Sequence, residues 1–90
     1  MYTIERARSA LRISHTLLDC DIENNIDAAR FDMRRVGINI DKDDVLLDKA
    51  VELYCKAQFD YLGKGEQFQQ NYEKLRDAIS LAGDYRCGMK

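Results

Sequence analysis

Proline is absent from this chain, histidine occurs once, and only five of the 90 residues are glycine. Without proline, the breaks between elements fall to glycine and to polar clusters; the glycines at 37, 63, 65, 83 and 88 lie outside the stretches with helical periodicity and read as punctuation. No apolar run approaches the roughly 18 residues a membrane span requires. The N-terminus MYTIERARSALRIS carries arginine at every turn, which leaves no apolar core for a secretion signal. Cysteine is sparse and odd in number: Cys20, Cys55 and Cys87 make neither a CxxC knuckle nor a paired framework, so a reducing compartment is the simple expectation. An excess of positive charge is missing too. The 14 Lys and Arg stand against 16 Asp and Glu, net -2, and no basic face announces a nucleic acid.

What the chain does have is 46% apolar and 33% charged residues, the composition of a folded domain rather than a disordered one. A chain of this length buries only about 60–65% of its unfolded surface, which predicts one domain with a thin core. Residues 1–83 are expected to form that single domain and residues 84–90 a loose tail.

Apolar spacing predicts helices throughout. Thr3 is a possible N-cap for a short first helix of about ten residues carrying Ile4, Ala7, Ala10 and Leu11. Ile13, Leu17 and Leu18 are expected in a partly buried connection. Leu18, Ile22, Ile26, Ala29, Met33 and Val36 then follow at steps of three and four, one stripe of a long second helix. Asp19, Asp21 and Glu23 at its start and Arg30, Arg34 and Arg35 at its end complement the macrodipole, and Gly37 fits the left-handed position just past it. A third helix is expected with Leu47, Ala50, Tyr54, Ala57 and Tyr61 on one seam, widened by Leu46, Val51, Leu53 and Leu62. After a Gly63-Lys64-Gly65 turn, a fourth from Glu66 to Ala82 presents Phe68, Tyr72, Leu75, Ile79 and Ala82, with Gly83 as its stop. No run alternates long enough to make a strand, so the fold class is all-α: a compact four-helix domain, one helix short and three longer.

The segment RRVGINIDKDD, residues 34–44, invites a metal reading, because three acids fall within four residues. An EF-hand loop beginning at Asp41 gains Asp43 at its third position and Glu52 at its twelfth, but Val45 and Leu46 occupy the fifth and sixth, where an oxygen ligand and a glycine are required. The better reading is a helix stop, a short link and a helix start, with Asp41 or Asp43 accepting from an orphan N–H and the other acids near the positive end of the third helix.

Other chemistry finds as little support. His15, Asp19 and Cys20 would share a metal only if helical, and a fourth zinc ligand is lacking. The thiols read as buried or idle rather than as a Cys-His nucleophile pair. GKG is not a phosphate loop, since neither GxxxxGK[ST] nor a preceding strand is there. Arg8 and Arg12, at i and i+4, and the pair Arg34-Arg35 are read as solvated faces or subunit salt bridges rather than a DNA footprint. Tyr54, Tyr61 and Tyr72 are spaced as core or interface aromatics. No enzyme constellation, metal site or cofactor site emerges.

The order of segments resembles the small head-tail connector (adaptor) proteins of tailed bacteriophages and prophages. The likeness runs over residues 2–86. It rests on an opening like TxEExxxxLRI, matched by Thr3, Glu5, Leu11, Arg12 and Ile13, on the run Ala28-Ala29-Arg30, and on the entry Asp44-Val45-Leu46-Leu47 followed by Ala50. The resemblance implies a non-enzymatic helical subunit that assembles with itself as a ring of about twelve copies. That ring would sit beneath the portal protein, extend the channel through which duplex DNA passes without sequence-specific contact, and offer a surface to the next neck or tail-completion protein. It also implies assembly in the bacterial cytoplasm and residence in the virion neck, away from membranes. On this reading the candidate inter-subunit contacts are Arg8, Arg12, Arg34, Arg35, Asp41, Asp43, Asp44 and Asp48. The alternative is a small helical DNA-binding or regulatory module, with Glu66 to Ala82 as the recognition helix.

Overall fold

The first helix, α1 (Ile4–Leu11), starts where Thr3 leaves the extended region and its hydroxyl accepts from the Arg6 N–H at 3.2 Å. It stops through a residue that local preference disfavours. Arg12 adopts the left-handed conformation, φ 58°, so that its N–H reaches Ser9 O and the Ile13 N–H reaches Arg8 O. Arg12 is thus past the helix and does not share a face with Arg8. In this computed structural model, which describes residues 2–41 and 44–82, the remaining elements are α2 (Asp19–Arg35), α3 (Val45–Gln58), a 3-10 turn (Tyr61–Gly63) and α4 (Gly65–Leu81). No strand or sheet occurs among the described residues. The fold is an all-α domain of four helices. Gly83, Cys87 and the 84–90 tail lie outside the described residues, as does Asp43.

The α2 stripe is placed as its spacing predicts: Ile22, Ile26, Ala29 and Met33 are buried, with Leu18 and Val36 half-buried at its ends. Its termination is a full Schellman motif. Gly37, φ 94°, donates to Arg34 O at 2.9 Å, and Ile38 donates to Met33 O at 3.0 Å, which folds Ile38 back into the core. Asp44, rather than Asp41, caps α3: its carboxylate accepts from the Leu46 N–H at 2.8 Å. The reason is positional, since only Asp44 immediately precedes the first helical residue.

α3 is the central element, packed against α2 on one side and α4 on another, with α1 across its start. Its buried residues are Leu47, Ala50, Val51 and Cys55, while Leu53, Tyr54 and Ala57 are half-buried. The buried face therefore runs through Val51 and Cys55 rather than through Tyr54 and Ala57, and Cys55 is core. The helix also ends early. Asp60 and Leu62 both turn left-handed, φ 49° and 56°, so Tyr61 and Leu62 leave the helical seam and Leu62 is 72% exposed. Gly65 is the buried first residue of α4, not part of the turn: a Cβ there would lie 2.6 Å from Asp60 Oδ1 and 2.9 Å from Ala57 O. The Gly65 N–H donates to Asp60 Oδ1 at 2.7 Å, so the missing side chain is what lets the carboxylate reach it.

α4 presents Tyr72 and Ile79 to the core, with Phe68 and Leu75 half-buried beside them. The connection between α1 and α2 departs from expectation at Leu17, which is 85% exposed; Ile13 and Leu18 are half-buried as expected. The body is a slab of 44 × 23 × 18 Å, thin enough that most helices keep one face in solvent.

Candidate functional site

One polar cluster ties three helices together. Asp32 lies three residues beyond Ala29 on the flank of the buried α2 stripe, and Tyr72 and Arg76 stand one turn apart on α4. The Tyr72 hydroxyl donates to Asp32 Oδ2 at 2.6 Å, Arg76 donates to the same oxygen at 2.9 Å, and Arg35 donates to Oδ1 at 2.7 Å. Arg76 also bridges Asp77 at 3.0 Å, and Tyr54 of α3 sets its ring against Tyr72 at 5.1 Å, edge to face. Burial alone would raise the Asp32 carboxyl, but hydrogen bonds from Tyr72, Arg35 and Arg76 outweigh it and hold the group down at about 2. The Tyr72 phenol is pushed well above its ordinary range, first by burial and then by the carboxylate it donates to. Arg76 would be lowered by burial; its hydrogen bonds to Asp32 and Asp77 instead raise it. A carboxylate saturated by three donors and kept ionised has no proton to give or take near neutral pH. The cluster is a brace between α2 and α4.

A second set closes the α1 end. Tyr2 is buried, its hydroxyl donating to Glu52 Oε1 at 3.3 Å, and the Arg6 guanidinium lies 5.1 Å over its ring while donating to Asp48 at 2.8 Å. Burial, reinforced by Glu52, pushes the Tyr2 phenol up. Arg8 faces Asp19 at 3.1 Å and Glu5 at 3.8 Å. Arg8 Nε and Asp19 Oδ1 are close as ions but not aligned as a hydrogen bond, so each remains a buried polar atom without one.

These contacts sort the residues nominated by sequence. Arg8, Arg35 and Asp48 are engaged within the chain, and Asp44 is a helix cap. Arg12, Arg34 and Asp41 are exposed, and their side chains make no ion pair among the described residues; the Asp41 N–H donates to Asn39 Oδ1. Asp43 lies outside the described residues. His15 is in the irregular connection, where its Nδ1 accepts from the Leu17 N–H at 3.3 Å, and the described residues hold no group of His, Cys, Asp and Glu arranged for a metal ion. The Cys55 thiol is pushed up to about 12 by burial and the neighbouring Glu52 charge, which makes it a poor nucleophile.

The brace escaped sequence reading because its partners are 40 and 44 residues apart. The available signal was Tyr72 itself: a tyrosine centred on an apolar stripe needs a partner for its hydroxyl.

Two outward faces stand out after these contacts are assigned. On α2, Phe31 sits about 200° around the helix from Ala29 and Met33, is 70% exposed, and has Asp27 one turn before it and Arg34 one turn after. On α3, Val45 is 80% and Leu46 43% exposed, with Lys49 one turn beyond Val45. Leu81, at the end of α4, is also exposed. No described helix is long and apolar enough to cross a membrane. Comparison of the chain with family models, with curated proteins and with solved structures finds no match.

Proposed function

We propose that this chain is a structural assembly protein, a head-tail connector subunit of a tailed phage or prophage. It forms a ring beneath the portal, extends the DNA channel and passes the head-to-tail joint on to the next neck protein. The observation that carries the reading is the pair of exposed apolar faces, around Phe31 on α2 and around Val45 and Leu46 on α3, on a thin body whose ionisable clusters are spent on bracing its own helices. A subunit closing a ring needs two different sticky faces, since a head-to-tail contact uses both on every copy. The residues of the connector resemblance have fitting structural roles: Thr3 caps α1, Leu11 is core, Arg12 and Ile13 end the helix, and Asp44 starts α3.

Charge supports passage rather than capture of DNA. A strongly basic lumen would hold a duplex through phosphate contacts, and this chain has net charge -2. The same argument weakens the recognition-helix alternative: the exposed side of α4 carries Glu66, Glu73 and Asp77 against Lys74. The test is to mix the protein with portal rings encoded in the same gene cluster, and to image it alone at high concentration. Binding to the portal, or rings without it, is the expected result. Failure of both, or a gel shift with short duplex DNA at about 50 mM salt, removes the reading.

A further inference from the structure

The two outward faces match each other. Along α2 the order is acid, aromatic, base: Asp27, Phe31, Arg34. Towards and along α3 the order is acid, aliphatic, base: Asp41, Val45, Lys49. The Asp27-to-Phe31 and Val45-to-Lys49 steps are each four residues, about 6 Å along a helix, so laying the two helices antiparallel brings Asp27 to Lys49 when Phe31 meets Val45, and turns Arg34 towards the end of α3 that Asp41 precedes in sequence. None of these four charged side chains makes an ion pair among the described residues. Phe31 on α2, and Val45 with Lys49 on α3, lie opposite the buried stripes of their own helices, and α2 and α3 pack on each other, so these two faces point away from one another and cannot meet within one copy.

We infer that the outward face of α2 in one copy seats antiparallel on the start of α3 in the next, with Phe31 against Val45, Asp27 against Lys49 and Arg34 against Asp41. The inference rests on the connector reading for its ring but identifies the partner surface by complementarity alone. Because the two faces differ, the contact is head-to-tail and propagates until it closes. One helix face per partner is well below the roughly 800 Å² a side of stable complexes, so isolated pairs are weak and the assembly gains by closing, each subunit then holding two neighbours.

Cysteine trapping tests the pairing directly. In a background with Cys20 and Cys87 changed to Ser, Asp27→Cys and Lys49→Cys are introduced together and separately, and the proteins are oxidised gently at high concentration. All introduced sites are exposed helix positions. The double variant is expected to give a ladder of dimers, trimers and higher species on a non-reducing gel, and each single variant none. Phe31→Ser in the double variant should reduce the ladder roughly three- to tenfold, the loss of one apolar anchor. A control pair, Asp27→Cys with Lys74→Cys on the outer side of α4, should give no ladder.

No ladder from the first pair, or an equal one from the control, overturns the inference. So does a dimer and nothing larger from Ala28→Cys alone, the signature of twofold α2–α2 pairing. The two proposals fail separately: unmodified protein that binds portal rings while the 27/49 pair gives no ladder sinks only the pairing, whereas a ladder from protein that neither binds portal rings nor closes into rings sinks only the connector reading.

Discussion

Replacing Tyr72 with Phe removes one hydroxyl and leaves the ring, its edge contact with Tyr54 and its place in the core unchanged. What is lost is the 2.6 Å hydrogen bond to Asp32 Oδ2, an O–H donated to an ionised carboxylate that is only 21% exposed. Holding that carboxyl at about 2 against an ordinary 3.8 corresponds to about 2 kcal/mol of preference for the ionised form, shared among Tyr72, Arg35 and Arg76. A charge-assisted bond this short also falls in the upper range of single hydrogen bonds, so Tyr72→Phe should cost about 1.5 kcal/mol, roughly 6–12 °C in melting temperature for a domain of this size.

The cost should depend on pH in a particular direction. Asp32 is depressed in the folded state, so its contribution is complete above its ordinary 3.8 and is lost as pH falls through about 2. Urea titrations followed by circular dichroism, repeated from about pH 7 down to about pH 2.5, should show the gap between wild type and variant narrowing below about pH 4. Tyr54→Phe is the control: the Tyr54 hydroxyl makes no hydrogen bond among the described residues, and its loss should stay within about 0.5 kcal/mol. A Tyr72→Phe penalty no larger than that of Tyr54→Phe, or one that ignores pH across this range, would refute the brace as the tie between α2 and α4.

Three further outcomes follow from the same geometry. Arg12 holds a left-handed conformation without the freedom of glycine, so Arg12→Gly should stabilise the domain by about 0.5–1 kcal/mol, read from the urea midpoint at unchanged slope. Gly65→Ala should destabilise by about 2 kcal/mol or more, because its Cβ would stand 2.6 Å from Asp60 Oδ1 and 2.9 Å from a backbone oxygen that cannot give way cheaply. Under native conditions near pH 8, Ellman's reagent should modify exposed Cys20 quickly and leave Cys55, buried and pushed up to about 12, until the protein is unfolded.

The sequence by itself determined what depends on near neighbours. Helical periods of three and four residues carry their own signal, so the α2 stripe from Ile22 to Met33 and its stop at Gly37 were legible, as were the Thr3 cap and the four-helix count. A glycine placed to turn left-handed, or a side-chain oxygen one residue ahead of a helix, acts within four or five residues of itself. What needed tertiary structure was whatever two distant segments decide together. Tyr61 and Leu62 continue the α3 pattern in sequence, yet Asp60 turns left-handed and its carboxylate accepts from the Gly65 N–H, which ends the helix before them. Asp32 meets Tyr72 and Arg76 only when α2 and α4 are brought together, and no local pattern marks that meeting. The same holds for the faces left over. That Phe31 and Val45 stay in solvent is set by which sides of α2 and α3 the other helices cover, a property of packing in three dimensions that periodicity along one chain does not contain.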